Sequence, residues 1–397
     1  MKTHILRALG AAGLAGTLAL LGLAAASCAA AAPPSAHAPS SSAQAASSSA
    51  QAASSPARGG YTAPVGSLKV PGTFQPGAAS FTSPAWGVVL GGSGCTASGV
   101  CPAQLAVTAD GGAQWFLMRA PAVSLSQASR VLFANTANGW LYTPYLSGQI
   151  WVTHNGGASW REVTLPGDIE TMAVAGHTVY AVAGGDLYRS PVGLSAWTRV
   201  GAQTPYGPMT GTVLAVNGNS VWFASNTFVW TTADGAHWAR YPLQSPGTAY
   251  GVPYGLSGIA AASPRDVAFL WGAAQGMYKT VMRVQVSVNG GQTEQLAPSA
   301  PPPEGDIYGF AVAPGRFGVL LIAVVTPGED LIYRSANLGE TWTTFGTPGT
   351  QGGMPLSSLE FMSPGAACYV TGNPAFGGGG HLMWTANAGQ TWYPVEF

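Results

Sequence analysis

The chain has 397 residues, of which 47% are hydrophobic and only 8% charged, with 55 glycines and 13 tryptophans. Its 15 basic and 15 acidic residues cancel, and from residue 61 onward 12 basic residues stand against 15 acidic ones, a net charge of −3. Binding to nucleic acid needs a basic stripe, so that partner class is excluded, and the length allows one large domain or two ordinary ones.

The first element is a targeting signal. Lys2 and Arg7 flank a short basic start, and an apolar run of Leu, Ala and Gly extends from Ala8 to Ala26. The run is small-residue-rich and gives way to a polar low-complexity stretch, which predicts a cleaved signal rather than a permanent span. It ends in LAAASC (23–28), which resembles a bacterial lipobox with Cys28 as the lipidated residue, although Ala25 stands where Leu is usual. Residues 1–27 are therefore expected to be a lipoprotein-type signal. The protein is expected to be exported and held to the outer side of the cell membrane, with free secretion as the alternative. Residues 28–60 are almost wholly Ala, Ser, Pro and Gln. Such a segment cannot bury enough apolar surface to order itself, and it reads as a tether spanning at most ~100 Å.

Residues 61–397 carry an internal repeat. TADGGAQW (108–115) recurs as THNGGASW (153–160), SANLGETW (335–342) and TANAGQTW (385–392). SPVGLSAW (190–197) lacks the acid or amide, TADGAHW (232–238) is one residue short, and SVNGGQTE (287–294) ends in Glu294 instead of Trp. The copies follow one another at steps of 37 to 56 residues. Between them lie period-2 stretches rich in Val, Tyr, Trp and Phe, broken by Gly, Asn and Pro. In the third unit these are ETMAVAG, HTVYAVAGG, DLYRS and AWTRV. Four strands per unit and no helical periodicity predict an all-β fold, a seven-bladed β-propeller of four-stranded antiparallel blades. Every blade is available as contiguous sequence. Residues 61–77 are left either to add a closing strand or to pack on the rim. Cys95 and Cys101, in the Gly-rich GCTASGVCP, are expected to form a local disulfide, and Cys368 to be a buried thiol.

The pattern [ST]-x-[DN]-x-G-x-[ST]-W resembles the Asp-box, or BNR repeat, of sialidases, sortilin-type receptors, some glucanases and photosystem II assembly-factor-like propellers. The resemblance covers residues 78–397 and implies hairpins between third and fourth strands, on the face opposite the usual ligand pocket. The residues support a structural role. Asp110, Asn155, Asp234, Asn289, Asn337 and Asn387 are short acceptors for turn N–H groups, the glycines supply positive φ, and Trp115, Trp160, Trp238, Trp342 and Trp392 offer apolar faces. One carboxylate or amide per box is too few for calcium, which takes six to eight oxygens. No metal and no cofactor is expected.

Function is then sought on the opposite face, where loops are uneven. The candidate ligand residues there are Glu170, Tyr206, Tyr250, Tyr254, Asp306, Tyr308 and Glu360. Loops between second and third strands add Tyr142, Tyr145, Trp271, Tyr278, Lys279, Glu329, Asp330 and Phe376. No catalytic residue is assigned. The sialidase [FY]-R-I-P motif is absent, the nearest arginine contexts being SRVLF at Arg130 and GRFG at Arg316. The reading is a monomeric cell-surface scaffold for a protein or glycan ligand. The alternative is a glycoside hydrolase, for which Asp306, Glu170 and Glu360 would be the available carboxylates.

Overall fold

The computed structural model describes residues 68–95, 101–126, 129–200, 213–346, 356–372 and 380–397. These residues form seven four-stranded antiparallel sheets, each a simple meander of contiguous sequence, arranged as a β-propeller. The innermost strands are Gln75–Phe81, Arg130–Phe133, Ile169–Ala175, Val213–Asn217, Gly255–Ala261, Asp306–Val312 and Ser357–Phe361. Each packs on the next around the ring, and the seventh returns to the first. An extra two-stranded hairpin, Thr248–Ala249 with Val252–Pro253, stands between blades 4 and 5.

The pattern of burial explains the composition. The second strands read GVVLGG, SVWFA, LLIAVV and ACYVT and are buried along their whole length. Neighbouring blades cover both faces of such a strand, so it has no polar side and no alternation. Outer strands such as Arg161–Thr164 and Thr343–Gly346 are exposed. Each of the seven seams between blades holds its own apolar cluster. Trp140, Trp222 and Trp271 fill these seams with no solvent exposure.

The repeated octapeptide is one hydrogen-bonded device. In blade 2, Ser159 N–H donates to Asn155 Oδ1 (2.9 Å), Thr153 Oγ1–H donates to the same oxygen (3.0 Å), and Gly157 N–H donates to Thr153 Oγ1 (2.9 Å). Asp110 accepts the same bonds from Gln114 N–H and Thr108 in blade 1. Asn289, Asn337 and Asn387 repeat them in blades 5 to 7. Gly156 and Gly157 take φ of 65° and 81°, where a side chain is disfavoured. The eroded copies substitute other chemistry. Asp234, in the shortened turn, accepts from Ala236 and His237 N–H (both 2.8 Å). In blade 3, Ser190 Oγ takes the Ala196 N–H (3.1 Å) and donates to Leu194 O (3.2 Å). Glu294 replaces the tryptophan in blade 5 and accepts Gln244 N–H of blade 4 (2.9 Å).

The ring closes without a shared strand. Residues 68–70 lie along the outermost strand of blade 1, with Leu117 N–H donating to Leu68 O (2.7 Å). The C-terminal Phe397 sits on Phe74 and Trp115, at ring separations of 4.9 and 4.8 Å. Between the inner strands, Ser357 Oγ donates to Gly77 O (2.8 Å), and Ala79 and Phe81 N–H donate to Ser358 Oγ and Glu360 Oε1 (2.8 and 2.9 Å). Cys95 and Cys101 are disulfide-bonded, and Cys368 is a free, buried thiol.

Candidate functional site

A meander fixes which loops share an end of the ring. Turns joining first to second and third to fourth strands lie at one end, and the octapeptides close it. Turns joining second to third strands, with the crossovers between blades, lie at the other.

At this open end five inner-strand starts carry a bulge. The extra residues are Gly77, Glu170, Ser257, Tyr308 and the pair Ser358–Leu359. A bulge re-aims side chains next to a channel mouth. Glu170 receives Gly185 N–H on Oε1 (2.8 Å), which ties it to the hairpin of its own blade. Tyr308 is 48% exposed, and its hydroxyl pKa is raised by burial and by Asp306, Tyr278 and Asp330.

The mouth is rimmed by exposed apolar side chains: Tyr145, Leu146, Tyr250 and Met277. Tyr145, Tyr250 and Tyr278 hold φ of 59°, 49° and 57°. Non-glycine residues at such angles are uncommon, and the strain collects at functional sites. The blade 5 hairpin that carries Met277 and Tyr278 is the longest in the molecule among the described residues. It is braced from both sides, by Gln275 Nε2 donating to Ala249 O (3.1 Å) and Gly305 N–H donating to Tyr278 O (2.8 Å).

Blade 6 supplies acids. Asp306 pairs with Val325, and Val325 with Asp330, so both carboxylates leave the same face of the sheet two strands apart. Asp330 is fully buried, and burial pushes its carboxyl up to about 7. Glu304 and Glu329 stand exposed nearby in the chain.

The other candidates scatter. Tyr254 is 6% exposed and packs in the seam between blades 4 and 5, with Trp271. Glu360 lies deeper on its strand, facing blade 1; burial pushes its carboxyl up to about 8, against the lowering effect of the Phe81 N–H, and Cys368 Sγ is 3.8 Å away. Tyr206, Phe376, Cys28 and residues 61–67 lie outside the described residues. Sequence reasoning missed Arg130 as a member of the mouth. It begins the blade 2 inner strand, paired with Tyr142, and burial lowers its pKa while Tyr142 and Tyr145 raise it.

No protein-family model and no curated protein matches the chain. Solved structures do. It is similar to YCF48 bound to a D1 peptide, at 18% identity over 81% of this chain and 96% of that one, with a TM-score of 0.52. It is similar to YCF48 from Cyanidioschyzon merolae, at 16% identity over 81% and 98%, TM-score 0.50. It is also similar to the GH74 xyloglucanase from Xanthomonas campestris, at 15% identity over 83% of this chain and 55% of the enzyme, TM-score 0.54. At these identities the likeness establishes the propeller fold.

Proposed function

We propose that this protein is an exported, lipid-anchored Asp-box propeller whose open end holds a segment of another protein. The observation that carries the reading is the rim of Tyr145, Tyr250, Met277 and Tyr308, exposed and partly held in strained backbone, at the end the octapeptides leave free. Exposed aromatics on a braced scaffold offer large contact area at low entropic cost. YCF48, similar in fold along nearly its whole length, has been solved with a peptide bound. The disulfide supports export, and a lipid on Cys28 would keep the face within tether reach of the membrane.

The test is capture of an immobilised peptide library by the full-length protein. The double variant Tyr145→Ser with Tyr250→Ser should weaken capture about tenfold or more, as truncated aromatic anchors do, with an unchanged melting temperature. Capture that ignores both substitutions would refute the assignment. Membrane partitioning of Cys28→Ser tests the anchor, since the variant should leave the membrane fraction.

Glycoside hydrolysis is kept as a second reading because of blade 6. Two carboxylates on one sheet face, two strands apart, sit about 10 Å apart at their backbones, and inverting glycosidases hold their acids about 6.5–9.5 Å apart. Asp330, protonated near neutrality, would be the acid and Asp306 the base. Sugar release that disappears in Asp330→Asn would favour this reading over binding alone.

A further inference from the structure

The Arg130 guanidinium makes no ion pair among the described residues. All 15 acids of the chain are among the described residues, and none of them pairs with Arg130. Of its five N–H donors, one has a hydrogen-bond partner among the described residues, Nη1 donating to the carbonyl of the adjacent Ser129 (3.1 Å). Glu170, the acid that raises the Tyr145 hydroxyl pKa, accepts the Gly185 N–H (2.8 Å).

The surroundings are built rather than loose. Tyr142 is buried and sits opposite Arg130 across the strand pair. Tyr145 N–H donates to Ile169 O (2.8 Å), which locks that tyrosine between blades 2 and 3 at positive φ. Its ring and Leu146 beside it are exposed, so the place is open to solvent on one side. A guanidinium taken partly out of water and left unpaired is costly, and its planar fork matches a carboxylate with two parallel hydrogen bonds.

We infer that Arg130, with Tyr142 and Tyr145, forms a carboxylate-recognition subsite at the channel mouth between blades 2 and 3, filled by a carboxylate of the bound peptide. Leu146 and the Tyr145 ring receive the apolar atoms next to that carboxylate. The inference rests on the peptide-binding reading, but its chemistry can be probed without a peptide.

The probe is benzoate, with the neutral isostere benzamide as control, titrated into the full-length protein and followed by thermal shift and tyrosine fluorescence. Wild type should respond to benzoate and not to benzamide. Arg130→Gln should abolish the response. Hydrogen bonds to charged groups are worth about 1.5–3 kcal/mol, so Arg130→Lys, which keeps the charge and loses the fork, should weaken it about tenfold to a hundredfold. Tyr145→Phe keeps the fold, since that side chain is exposed, and should weaken it several-fold. Equal responses to benzoate and benzamide in wild type, or a benzoate response that survives in Arg130→Gln, would overturn the subsite. Captured peptides remade with an amidated C-terminus, or with Gln for Glu and Asn for Asp, then show whether the carboxylate is terminal or on a side chain. A benzoate response without any peptide capture would sink the peptide reading and leave the subsite standing.

Discussion

Glu360 provides the sharpest test of the physical reasoning, because its environment sets a sign and a size. Desolvation in the seam between blades 7 and 1 lifts its carboxyl from 4.5 to about 8, even though the Phe81 N–H favours the ionised form. Between these two values the unfolded chain has released a proton that the folded chain still holds. Stability contributed by this group therefore falls as pH rises through that window and is flat on either side. Taken at face value the gap is about 5 kcal/mol above pH 8. The residue keeps some contact with solvent, which reduces the expected effect to about 2–4 kcal/mol. Glu360→Gln keeps an oxygen for the Phe81 N–H and removes the proton. The assay is urea unfolding of the full-length protein, read by its 13 tryptophans, at about pH 5, 6.5 and 8.5. The variant should match wild type at the acid end and exceed it by about 2–4 kcal/mol at the alkaline end. Asp330 shares the sign, with its carboxyl raised to about 7, but it is present in both proteins and drops out of the difference. Parallel curves for the two proteins across this range would refute the account of the seam.

Three further outcomes follow from the frame. Asp110→Ala removes the acceptor for Gln114 N–H and Thr108 Oγ1–H; chemical denaturation should show a loss of about 1–2 kcal/mol, with ligand capture unchanged. Gly157→Ala forces a side chain into φ of 81° and places its Cβ 2.7 Å from Met118 Cγ and 3.1 Å from Arg119 O; a loss of about 2 kcal/mol or more is expected by the same assay. Phe397→Ala removes two aromatic contacts from the closing seam; it should cost about 1–3 kcal/mol and raise hydrogen exchange first in Gln75–Phe81 and Ser357–Phe361.

What the sequence discloses follows from what repeats. Seven turns face one geometric problem, and Thr153, Asn155 and Gly157 solve it with the same three bonds that Ser335, Asn337 and Gly339 use. The number of blades and the position of each hairpin are legible for that reason. The position of Glu360 is not. Its number suggests the start of an inner strand, but Ser358 and Leu359 oppose the single residue Tyr369, and this bulge carries Glu360 down the strand toward blade 1. Tyr254 reads as a loop tyrosine among Pro and Gly. The small hairpin Thr248–Ala249 with Val252–Pro253 folds the loop back, and the ring is buried beside Trp271. Arg130 looks like an ordinary strand residue, because whether an acid pairs with it is a property of three dimensions.

The bulges separate structure from chemistry at the open end. The same backbone feature recurs in blades 1, 3, 5, 6 and 7, and its extra residue is Gly77, Glu170, Ser257, Tyr308 or the pair Ser358–Leu359. At the opposite end a recurring shape is matched by recurring residues, since the side chains make the turn. Even where that pattern erodes, Ser190 supplies an acceptor inside the blade 3 turn, and Glu294, in place of the tryptophan, bonds the neighbouring blade instead. At the mouth the shape recurs while the residues differ in charge, size and polarity, so the backbone ladder makes the bulge and the side chains are released from that task. Side chains that are not needed to make a recurring shape are where a ligand can be read. Around this end of the ring the side chains at and beside these strand starts give a cation at blade 2, tyrosines on both sides of blade 5, and acids at blade 6.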